Sequence, residues 1–64
     1  MDAPNLLNIA ETSARTRTPE ATLRFWRYQG VGPKSFKVGR RVMYKRADVD
    51  RWLEEQYNNQ PLRT

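Results

Sequence analysis

"TPEATLRFWRYQGVGPKSFKVGRRVMYK", residues 18–45, decides the fold. Its first half reads as a short helix. Thr18 is a capping residue type, and Pro19 suits the first helical position, where a missing N–H costs nothing. Gly30 supplies a left-handed stop. At about 100° per residue, Pro19, Thr22, Leu23 and Trp26 fall on one side. Glu20, Ala21, Arg24 and Tyr28 fall on the other, with Phe25 at the margin. The spacing predicts a helix from about Pro19 to Tyr28, anchored in the core by Leu23 and Trp26. "VGP" then turns the chain. "SFKV" and "VMYK" alternate on either side of "GRR", which reads as a β-hairpin. Its turn is Gly39 and Arg40, extending to Arg41 at most. Phe36 and Val38 are expected on one face, matched by Val42 and Tyr44 on the partner strand. Lys34, Lys37 and Lys45 are expected on the outward side.

Upstream, "MDAPNLL" reads as an extended lead, with Pro4 holding it open. Asn8 followed three residues later by Glu11 has the form of a capping box, which predicts a first helix over about Ile9 to Ala14. Its apolar content is thin (Ile9, Ala10, Ala14), so it must dock on something, because isolated helices this short are marginal in water. "RTRT" is a polar break. Downstream, Val49, Trp52, Leu53 and Gln56 recur at the spacing of an amphipathic helix within "RADVDRWLEEQY". Asp48 and Asp50 fall in its first turn, where negative charge suits the helix dipole. Arg46 or Ala47 would have to cap it. "NNQPLRT" reads as a polar tail.

The chain has 64 residues, with no cysteine and no histidine. A domain of this size buries only about 60% of its unfolded surface. Disulfides and His/Cys metal sites are not available to reinforce it, and no metal or other cofactor is expected. The core must be aromatic and aliphatic, with Trp26, Phe36, Tyr44, Trp52 and Tyr57 as its aromatic candidates. Leu23, Val49 and Leu53 join them. One domain is expected across residues 1–64, ordered over about 6–57, with a tail over about 58–64. There is no apolar run long enough to span a membrane and no signal-peptide pattern, so the expected location is the cytoplasm.

The net charge is +5, and its distribution is uneven. Residues 19–46 hold eight Lys or Arg against Glu20 alone, whereas residues 47–64 are net −2 and residues 1–18 are neutral. Positive charge concentrated in one block reads as a footprint for a polyanion, with nucleic acid as the first candidate.

The order helix, helix, hairpin, helix gives an α+β class with a winged helix-turn-helix arrangement. In such proteins the second helix enters the major groove of double-stranded DNA, and a hairpin tip carrying Arg40 and Arg41 reaches phosphates or a narrow minor groove. Catalysis is not expected. The residue types for general-base and nucleophilic chemistry are missing, and Asp48, Asp50, Glu54 and Glu55 lie on one helix rather than across a cleft. "GVGP" is too short to be a phosphate-binding fingerprint.

Three stretches carry a resemblance: "TLRFW" with Gly30, "GPKSFKVGRRVMYKRADV", and "RWL". Together they resemble the excisionase group of the MerR-like winged-helix superfamily over about residues 6–56. The form is most similar to excisionases of actinobacteriophages, which act as recombination directionality factors beside an integrase. The resemblance implies a protein that binds DNA cooperatively near attachment sites, bends it and directs integrase towards excision in the host cytoplasm, at the nucleoid. Its partners would be double-stranded DNA, phage integrase and neighbouring copies of itself, with no membrane. It also implies a recognition helix in which Thr22, Arg24, Phe25 and Arg27 occupy the contacting stretch, flanked by Thr18, Glu20, Ala21 and Tyr28. Arg24 matches an arginine that often meets DNA. Phe25 matches a position often held by tyrosine, and lacks its hydroxyl. The wing would be Gly39, Arg40 and Arg41, with Lys34, Lys37 and Lys45 beside phosphates. Glu20 suits the helix dipole, and a cytosine amine is its other possible partner. Unlike MerR regulators, the sequence carries no long dimerisation helix and no effector-binding domain, so no small-molecule effector is expected. A small transcription regulator of the same fold remains open, as does an interaction module whose basic face binds an acidic protein. Glu54 or Glu55 is a candidate contact to the basic face of a neighbouring copy.

Overall fold

The computed structural model describes residues 5–60. Its elements are β1 (Leu6–Leu7), α1 (Ile9–Thr16), α2 (Glu20–Gln29), β2 (Ser35–Val38), β3 (Arg41–Lys45) and α3 (Arg46–Asn59). The strands form one antiparallel sheet in the order β1-β3-β2. The result is an α+β fold consistent with a winged helix.

The capping box forms. The Glu11 amide donates to Asn8 Oδ1 at 2.8 Å, and the Asn8 amide donates to Glu11 Oε1 at 2.8 Å. Two orphan donors at the start of α1 are thereby satisfied. The helix runs to Thr16 and ends on Arg17 in a left-handed conformation, φ 56°, with its N–H donating to Ser13 O. The turn into α2 differs from expectation. Thr18 is not the cap: its hydroxyl donates back to Thr16 O at 3.1 Å, and its carbonyl accepts from the Ser13 hydroxyl. Thr18 therefore closes the turn, and Pro19 stands at the N-cap with its carbonyl accepting from Leu23 N at 3.1 Å.

Leu6–Leu7 is a strand rather than an unpaired lead; Leu6 pairs with Lys45 and Leu7 with Tyr44. The expectation for Pro4 lies outside the described residues. The hairpin forms where expected, but its faces do not match as expected. Gly39 and Arg40 make a two-residue turn, with positive φ (63°) at Gly39 as in a type II′ turn. That turn pairs Val38 with Arg41, Phe36 with Met43, and Lys37 with Val42. Directly opposed residues share a face, so Arg41 belongs to β3, and Phe36 and Val38 lie on the face away from Val42 and Tyr44. Phe36 is 36% exposed and is not a core residue. Lys37 and Lys45 likewise stand on opposite faces of the sheet, not on one outward side.

The core centres on Leu7, Tyr44 and Val49, with Ile9, Val42 and Leu53 packed against them. Leu23 and Thr12 are also buried, and the Thr12 hydroxyl is satisfied by Asn8 O at 2.9 Å. Trp26 and Trp52 are half-buried and meet with their rings tilted 51° to each other and their centroids 5.5 Å apart. Gly32, at φ +82°, lies against this pair: a Cβ there would stand 2.9 Å from Trp26 Cε3. Tyr57 is 79% exposed, contrary to its expected core role; it lies one turn beyond Leu53, which packs against the core. α3 begins directly at the end of β3 with Lys45 as N-cap and no side-chain cap, and it continues through Asn58 and Asn59, past the expected start of the tail. Residues 61–64 of that tail lie outside the described residues. Arg15 ties α1 to α3 through Asp50, with Nε–Oδ1 at 2.7 Å and Nη2–Oδ2 at 3.0 Å.

Candidate nucleic-acid interface

α2 sets the site. Its ten residues span about 15 Å and are held by Leu23, fully buried on one side. Successive residues rotate by about 100°, so anchoring Leu23 turns Ala21, Arg24, Phe25 and Tyr28 towards solvent. All four are exposed, with Phe25 at 57% and Tyr28 at 87%. Thr22 and Glu20 flank this surface and are half-buried. Thr18 is tied into the turn before the helix and does not belong to the exposed ridge.

Between α2 and β3 lies an open cleft of about 590 Å³, lined by Ile9, Arg24, Arg27, Tyr28, Arg41 and Val42. Three arginines from two elements converge on it. Ile9 and Val42, which the sequence pattern assigns only to packing, form its apolar floor. Tyr44, buried two residues along β3 from Val42, has its phenol pushed up by burial, an effect opposed by the charges of Arg27 and Arg24.

The charge is modulated from within the helix. Arg24 Nη2 donates to Glu20 Oε1 at 3.2 Å. The sequence reading assigns Glu20 to the helix dipole; the structure adds this ion pair, and the Glu-to-Arg spacing of four was its signal.

Arg27 also borders a second hollow of about 370 Å³ with Gly30, Val31, Gly32, Pro33, Lys34 and Ser35. Lys34 therefore joins the site at the C-terminal end of α2. Gly39 and Arg40 form the exposed hairpin tip, and Lys37 is exposed on β2 beside it. Lys45 does not join this group. It lies at the far end of β3, about 13 Å along the strand from Arg41, in a hollow with Asn5, Leu6 and Ala47.

The arrangement offers a convex helix surface beside a cationic cleft, with a charged tip projecting from the same sheet. A helix of this thickness fits the major groove, and arginine can pair with base edges or phosphates. Among the described residues no group of three or more carboxylates, cysteines or histidines is placed to hold a metal ion. No helix among them is long and apolar enough to cross a membrane.

Comparison with known proteins agrees with this geometry. The family model described as a helix-turn-helix domain matches residues 6–57, from β1 into the last turns of α3. No curated protein matches the chain closely enough to count as a relative. The match covers all the elements that build the cleft and the hairpin, and the chain belongs to this helix-turn-helix family, a DNA-binding family that includes excisionase-like proteins.

Proposed function

We propose that the protein is an excisionase: an architectural DNA-binding protein that turns a phage integrase towards excision. The observation that carries the DNA-binding part of this reading is the convergence of Arg24, Arg27 and Arg41 on one cleft between α2 and the hairpin. Three arginines, with only Glu20 beside Arg24 to offset them, leave the cleft net positive, which a polyanion neutralises. In this reading α2 lies in a major groove, with Ala21, Arg24, Phe25 and Tyr28 towards the bases. Arg27 and Lys34 meet phosphates at one end. Arg40, Arg41 and Lys37 meet the neighbouring backbone or minor groove at the other. The protein supplies architecture, and integrase supplies the chemistry. Several copies bind side by side near an attachment site and bend it, with exposed Glu54 or Glu55 of one copy against the basic face of the next.

The resemblance to excisionases across "TLRFW", "GPKSFKVGRRVMYKRADV" and "RWL" supports the recombination role, with a transcription regulator of the same fold as the second reading. The test is an in vitro recombination assay with the integrase of the same genome and a plasmid carrying both attachment sites. Excision that requires this protein is the expected result. A protein that binds the attachment region but leaves excision unchanged is a regulator instead. Glu54→Lys and Glu55→Lys variants test the lateral contact, because cooperativity between adjacent sites should fall; unchanged cooperativity removes that contact from the account.

A further inference from the structure

The outermost ridge of α2 is not charged. Ala21 and Phe25 are one turn apart on the side opposite Leu23, and both are exposed. Leu23 obtains full burial on one side of the same short helix, while a phenyl ring is left in water on the other. Arg24 stands between this ridge and the flank that turns towards the hairpin, and Arg27 stands on that flank; both line the cleft. An apolar protein partner seated on Phe25 would have to strip water from Arg24 beside it. A DNA groove imposes no such penalty, because its walls are phosphate.

When a helix lies in the major groove, its flanks meet the backbone and its outermost ridge meets the base edges. That groove floor carries donors and acceptors everywhere and one apolar group only, the C5-methyl of thymine. Resting on the DNA-binding reading above, we propose that Ala21 and Phe25 read thymine methyl groups. The bound site then has thymine under this part of the ridge, and Arg24 adds the hydrogen-bonded contact next to it. Phe25 needs no hydroxyl for this task; the bare ring is the better surface for a methyl group.

The experiment begins with selection of the tightest duplex from a random library by the full chain. Each thymine of that duplex is then replaced in turn by deoxyuridine, which lacks only the methyl group. Loss of a contacted methyl should weaken binding about fourfold, at one or two positions. At one such position Phe25→Ser should bind the thymine and uracil duplexes equally, and Phe25→Leu, which keeps an apolar surface, should still discriminate there. Equal binding of wild type to thymine and uracil at every position overturns the inference while leaving DNA binding intact. A methyl effect that persists undiminished in Phe25→Ser overturns it as well. Binding of duplexes without enrichment of any sequence overturns the inference alone, and failure to retain any duplex at low salt overturns the DNA-binding reading itself.

Discussion

Arg24 Nη2 donates to Glu20 Oε1 across 3.2 Å, one turn back along α2, and Glu20 is the single carboxylate within the basic span of residues 19–46. Both groups reach water, so the pair adds little to stability. Its effect is on the cleft: it steadies one guanidinium and cancels one positive charge beside the expected path of phosphates. Glu20→Gln should therefore tighten binding to every duplex, by up to about 1 kcal/mol at low salt. Its unfolding free energy should stay within about 0.5 kcal/mol of wild type. Anisotropy titrations on selected and scrambled duplexes, paired with thermal melts, check both. Loss of preference at one C·G pair would instead make Glu20 a reader of the cytosine amine.

Arg24 itself should separate specific from general binding. Arg24→Ala is expected to weaken binding to the selected duplex by about 1–3 kcal/mol, the range for a good bidentate base contact, with a smaller loss on scrambled DNA. Equal losses on the two duplexes would recast Arg24 as a backbone contact.

The Arg15–Asp50 pair predicts a pH dependence of stability. The Arg15 guanidinium, through its hydrogen bonds first, holds the Asp50 carboxyl below its ordinary value of 3.8. A carboxyl lowered by folding contributes stability that is complete above its unfolded value and lost as pH falls through the lowered one. The effect is small because both side chains are partly solvated, and salt screens it. In urea titrations from about pH 5 towards pH 2, wild type should lose more stability than Asp50→Asn. Parallel curves for the two proteins would remove the pair from the stability account.

Gly32 lies close against the Trp26 ring. An alanine there meets Trp26 Cε3 at 2.9 Å and must also hold φ +82°, whereas nothing lies within 4 Å of a Cβ at Gly39. Gly32→Ala should cost about 1–3 kcal/mol and more than Gly39→Ala, which carries conformational strain alone. The Trp26–Trp52 contact should report it through a changed tryptophan emission spectrum. Equal costs at the two glycines would mean that the ring moves aside freely.

The elements carried by strong local signals were legible in the sequence. The Asn8–Glu11 box, the Gly30 stop, the Gly39–Arg40 turn and the Val49–Trp52–Leu53 stripe all lie where their residue types demand. Features set by pairing were not. Leu6–Leu7 is too short to show a period, and its strand identity comes only from β3. The faces of the hairpin depend on its register, and a shift of one residue exchanges every side chain between faces; that is why Phe36 reads as core yet lies outside. Thr18 had the right residue type for a cap, but the tight turn after Arg17 uses its hydroxyl first. At the candidate site, Arg24, Arg27 and Arg41 were legible as charges. Their convergence over Ile9 and Val42 was not, because it requires α1, α2 and β3 to meet. Lys45 looked equivalent to Lys37 in sequence and lies at the wrong end of its strand.

The central claim is that α2 and the hairpin grip DNA together through their cations. Its most direct test is the affinity for a labelled duplex, measured by anisotropy between 50 and 200 mM salt, for wild type and for Arg40→Ala/Arg41→Ala. With about four to six cations on phosphates, log K against log salt should fall with a slope of roughly −4 to −5 for wild type, and the double variant should lose about two units of that slope. No duplex binding at the lowest salt, or a double variant with the wild-type slope, would contradict the two-part grip.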